Sequence, residues 1–87
     1  MKPLNRYRRK INVIDRRIMK LFIKRYETVE NIGKIKKKEG LPVVDDKREQ
    51  EIMEKIGLLK ADSRIKNGLA DIYKTVFSTS YLIEKEE

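Results

Sequence analysis

Read at alternating steps of three and four, the first part of the chain carries Leu4, Tyr7, Ile11, Ile14, Ile18, Leu21, Arg25, Thr28, Ile32 and Ile35. These positions trace one seam along a helix. All are apolar or nearly so except Arg25, whose guanidinium is permanently charged and carries five donors and no acceptor. The pattern predicts a helix over about 4–38, with no internal glycine before Gly33 and no proline after Pro3. Gly40 suits a left-handed helix end and Pro42 prevents continuation. Lys36, Lys37 and Lys38 fall in the last turn, where cations complement the helix dipole.

A second helix is expected over about 45–60, capped by Asp45 or Asp46, with Glu49 in its first turn and Ile52, Ile56 and Leu59 as its buried stripe. After a short turn, Asp62 or Ser63 can cap a third helix over about 64–85, whose stripe runs Ile65, Leu69, Ile72, Val76 and Ile83. No strand-like alternation competes. The class is all-α, three helices in one domain over residues 1–87. The first helix would span roughly 50 Å at its ordinary rise. It is too long to bury its seam inside a compact chain of 87 residues. A homodimer is therefore expected on geometry alone.

Composition narrows the chemistry. Charged residues make up 41% of the chain against 39% apolar ones, and there is no Cys and no His. Disulfides, thiolate nucleophiles and cysteine zinc sites are excluded, and so are the commonest general base and the commonest metal ligand. Neither a metal nor a cofactor is expected. No apolar run reaches transmembrane length and no signal-peptide core is present, which makes a cytoplasmic protein with no membrane partner the expectation. The net charge of +8 is compatible with nucleic acid, an anionic surface or a small anionic substrate.

Arg25 favours the small anion. A charge on a core seam is costly unless something pairs with it. Lys36 falls within roughly 20° of Arg25 around the helix and about 16 Å further along it, so the two long cations can converge on one ligand. On the second helix Arg48 and Glu49 project beside the buried stripe, and Asp45 precedes Arg48 by one turn. On the third, the face of Leu69 and Val76 continues to Ser80 and Glu84. Arg8 flanks the seam about 25 Å from Arg25 along the axis, so it can serve the same small ligand only from another subunit. Arg8, Arg25, Lys36, Arg48, Glu49, Ser80 and Glu84 form a polar set with several cations and no nucleophile–base pair. It suits binding a compact dianion, not hydrolysis.

The chain resembles the all-helical chorismate mutases. The resemblance rests on Arg8-Arg-Lys-Ile-Asn-Val-Ile-Asp15, Lys24-Arg25, Ile32-Gly-Lys-Ile-Lys36, Gly40-Leu-Pro-Val-Val-Asp45 and Asp46-Lys-Arg48-Glu49, and more weakly on Ser80 and Glu84. It implies an intertwined dimer with two equivalent sites and a cofactor-free Claisen rearrangement of chorismate to prephenate, in the biosynthesis of phenylalanine and tyrosine. It implies that Arg25 and Arg8 of the partner subunit grip the two carboxylates. Lys36 would donate to the breaking ether oxygen, and Glu49 with the Asp45 backbone would take the ring hydroxyl. Arg48 and Ser80 would complete the shell. Many relatives carry Gln where this chain has Glu84, and a carboxylate donates a hydrogen bond only when protonated. Activity is therefore expected to fall with rising pH, and Glu84→Gln to flatten that dependence.

Two alternatives remain at this level. An isochorismate–pyruvate lyase would use similar cations on the same fold, although Glu49 and the Asp45-x-x-Arg48-Glu49 run favour the mutase. A basic helical nucleic-acid-binding or scaffold dimer is permitted by charge. It leaves the seam position of Arg25 unexplained, and nucleic acid is disfavoured as a partner on that ground.

Overall fold

The computed structural model describes residues 1–87 as three helices, α1 (Lys2–Glu39), α2 (Asp46–Gly57) and α3 (Ser63–Glu86), with no strand. Pro3 lies in the first turn of α1, where its missing N–H costs nothing. The helix ends at Gly40, whose φ of 67° and ψ of 30° are left-handed. There the Leu41 N–H reaches the Lys36 carbonyl at 2.8 Å and the Gly40 N–H the Lys37 carbonyl at 3.4 Å. This is the paired closure that a glycine in this conformation makes possible.

Asp45 caps α2 by accepting from the Arg48 N–H at 3.0 Å, and Asp62 caps α3 by accepting from the Ile65 N–H at 3.1 Å. The second helix stops at Gly57, about a turn short of the expected residue 60. Leu58 N–H is shared between the carbonyls of Glu54 and Lys55, and Lys66 Nζ takes the freed Gly57 carbonyl at 2.8 Å. A glycine is a poor helix residue, and here the chain turns directly after it.

Helix α3 is the middle element, packed against both α1 and α2. Ile52, Ile56 and Phe77 form a buried cluster, joined by Met53, Leu69, Tyr73 and Tyr81, while Val29 and Val76 are buried nearby. Backbones approach most closely at Gly33, where a Cβ would stand 2.8 Å from the Glu84 Cα.

The expected stripes are only partly covered. Every residue from Met1 to Leu21 is exposed, including the seam residues Leu4, Tyr7, Ile11, Ile14, Ile18 and Leu21. Ile32, Ile35, Leu59, Ile65 and Ile72 are exposed as well. The reason is length: α1 has 38 residues and the molecule extends 56 Å, so α3 packs along only one end of it.

Candidate active site

At the covered end of α1, all three helices and the loop before α2 contribute to one cavity of about 410 Å³. Its lining includes Arg25, Lys36, Asp45, Arg48, Glu49, Ser80 and Glu84. Arg8 is not among the lining residues and is exposed on the uncovered half of α1. The volume lies within the usual range for small-molecule sites.

Arg25 is half-buried, and its Nη1 donates to the Ser80 hydroxyl at 3.0 Å. Its guanidinium carbon also lies 5.7 Å from the centre of the Tyr73 ring. No carboxylate comes within ion-pair distance of it. Ser80 spends its one proton on the Val76 carbonyl at 2.6 Å and is buried. Its oxygen therefore acts toward Arg25 as an acceptor, holding the guanidinium in place.

Lys36 is held by the chain turn that follows α1. Its Nζ donates to the Val43 carbonyl at 2.7 Å and pairs with Glu84 Oε1. Glu84 is 5% exposed, and no donor is aligned for a hydrogen bond on Oε1, so the pair is mainly Coulombic. Burying such a pair costs desolvation that the attraction must offset. An ammonium has three donors, which leaves Lys36 with capacity for a ligand.

Arg48 lines the cavity but pairs outward with Glu51 at 3.2 Å. Both partners are about half exposed, so the pair contributes little and is readily given up. Glu49 accepts a short hydrogen bond from the Tyr81 hydroxyl. Tyr81 also stands 3.2 Å from the Asp45 backbone nitrogen, and Lys36 Nζ lies 5.9 Å from the centre of its ring. Burial, and then the bond to Glu49, push the Tyr81 phenol up to about 12, so it remains a donor at any physiological pH.

Tyr81 is a site residue that the charge-based reading overlooks, and so is the contact of Tyr73 with Arg25, although Tyr73 does not line the cavity. A signal for them exists, because Tyr73, Phe77 and Tyr81 recur at four-residue spacing on one face of α3. That pattern also describes ordinary core, and only the position of Glu49 opposite Tyr81 distinguishes the two.

A cavity holding three cations and three carboxylates, with one guanidinium lacking an acidic partner, is arranged to receive an anion. The site has no nucleophile paired with a base, and no group of side chains could hold a metal ion. Similar proteins agree with this chemistry. A bifunctional chorismate mutase/prephenate dehydratase of Aquifex aeolicus (strain VF5) is 34% identical over 92 residues, covering 99% of this chain and 25% of its own length. The T-protein of Haemophilus influenzae is 41% identical over 49 residues, covering 56% of this chain and 13% of its own. This chain thus spans about a quarter or less of the curated relatives it matches. No solved structure gives a significant match. The family profile described as chorismate mutase type II matches residues 7–85, nearly the whole helical fold and all of the cavity, and the chain belongs to that family.

Proposed function

We propose that this chain is a chorismate mutase, rearranging chorismate to prephenate in the route to phenylalanine and tyrosine. The observation that carries the reading is Arg25, a half-buried guanidinium facing a cavity with no carboxylate to neutralise it. A substrate carboxylate supplies the missing partner. The reaction is unimolecular and needs no nucleophile, so the site works by holding the reactive conformer and stabilising charge on the breaking ether oxygen. In this reading Arg25, positioned by Ser80, grips one carboxylate. Lys36 uses its free donor on the ether oxygen. Glu49 and the Asp45 N–H take the ring hydroxyl, and Arg48 turns inward from Glu51.

The charge balance supports a second chain at the site. Arg25, Lys36 and Arg48 are matched by Asp45, Glu49 and Glu84 in the same cavity, so a dianion entering it adds uncompensated charge. Arg8 of a second copy would offset part of this. The second copy is an intertwined homodimer partner seated on the uncovered half of α1. Ile18, Leu21, Leu69 and Ile72 line an open apolar groove that continues from that half toward the core. No helix is long and apolar enough to cross a membrane, and a cytoplasmic location fits this reading.

The deciding experiment supplies chorismate and, separately, isochorismate, and follows prephenate from the first and salicylate from the second. Prephenate from chorismate is expected, and no salicylate from isochorismate. Salicylate from isochorismate would replace the mutase by the lyase. A folded protein that makes neither product would overturn the enzymatic reading.

A further inference from the structure

The Tyr81 hydroxyl makes the contacts that the proposed function gives to a ligand hydroxyl. It donates to Glu49 Oε2 and lies 3.2 Å from the Asp45 backbone nitrogen, from which it accepts. A phenol and a ring alcohol share the same inventory, one proton to give and lone pairs to receive. Asp45 has a single N–H, which cannot serve Tyr81 and a ligand fully at once. The Tyr81 hydroxyl gives its one proton to the Glu49 carboxylate, so a ligand hydroxyl that takes this place must donate there in its stead. Tyr81 is half-buried, with its ring packed against the core cluster and its side chain lining the cavity.

Building on the mutase reading, we propose that Tyr81 is a placeholder and a specificity determinant. Its hydroxyl fills the subsite for the substrate's ring hydroxyl in the empty enzyme and yields that subsite when substrate binds. Binding then exchanges one hydroxyl for another on Glu49 and Asp45, so neither group is left unpaired in either state. The exchange has a consequence for selectivity. A ligand lacking the ring hydroxyl leaves Tyr81 in place and loses little. Affinity for the true substrate is lowered by the fraction of molecules in which the subsite is already filled.

Tyr81→Phe tests this, because it removes the hydroxyl while keeping the ring against the core, and circular dichroism melting monitors its fold. In the variant KM for chorismate should fall about fivefold or more, with kcat changed less than about twofold. The second measurement uses two unreactive cyclic dicarboxylate inhibitors that differ only in the ring hydroxyl. The ratio of their inhibition constants should favour the hydroxylated one more strongly in Tyr81→Phe than in wild type. A ratio that is equal or smaller in the variant overturns the placeholder and leaves Tyr81 as a residue that orients Glu49. Wild-type turnover of chorismate is read separately, so loss of the mutase reading is distinguishable from loss of this one.

Discussion

At the scale of single residues the site is a set of side chains that hold one another short of full satisfaction. Arg25 has five donors and places one on Ser80, and Ser80 has no proton left for a ligand because Val76 takes it. Arg25→Ala should lower kcat/KM by about a hundredfold or more while the protein stays folded, since a charge is replaced by a small apolar group. Steady-state kinetics beside circular dichroism check this, and an unfolded variant would make Arg25 structural. Ser80→Ala should act more mildly, losing about tenfold by freeing the guanidinium to wander. The pH behaviour of Tyr81 has a definite sign. Its folded value is raised from 10.0 to about 12, so its contribution to stability is complete below 10.0 and is lost as pH rises toward 12. Ultraviolet titration should show one phenol ionising late in wild type and absent in Tyr81→Phe. Arg25 was legible in the sequence because a cation on an apolar seam breaks a pattern, and Lys36 because it shares the face of Arg25. Tyr81 breaks none, and its part depends on a partner on another helix.

At the scale of elements, two positions control how α3 meets its neighbours. A Cβ on Gly33 would stand 2.8 Å from the Glu84 Cα and 3.0 Å from its carbonyl oxygen, both backbone atoms that cannot swing aside. Gly33→Ala should therefore push α3 outward and cost about 1–3 kcal/mol, partly offset by the better helix propensity of alanine. Urea denaturation measures the cost, and the shift of Glu84 away from Lys36 should lower turnover as well. At the start of α3, the Ile65 N–H and then Arg64 lower the Asp62 carboxyl below its ordinary 3.8. The stability it contributes is present above 3.8 and is lost as pH falls through the lowered value. Asp62→Asn keeps a capping oxygen and should flatten the acid limb of a melting-temperature profile. The three helices, their caps and the stop at Gly40 were all readable from spacing, glycine and aspartate. The early end of α2 was not. It depends on Lys66 reaching the Gly57 carbonyl, a contact made only once α3 is in place.

At the scale of the whole molecule, α1 is the organising fact. Its first half carries an apolar seam that no part of its own chain covers, and it also carries Arg8. If Arg8 completes the site of a second copy, then Arg8→Ala and Arg25→Ala homodimers should each be inactive. Their subunit-exchanged mixture should recover about a quarter of wild-type activity, since half the dimers are mixed and each has one unaltered site. No recovery after exchange has been verified by mass would exclude the shared site. The length of α1 was plain in the sequence, and so was its need for cover, but the structure adds where its own chain stops covering it. That boundary, at Phe22, falls one turn before Arg25. Catalytic competence and association are then a single equilibrium. Specific activity should fall as the enzyme is diluted below its dimerisation constant. A tight ligand should restore it by drawing monomers into pairs, because it binds only the assembled form. With a shared site, a long helix left bare for half its length would make the protein's own concentration one of the variables that set its rate.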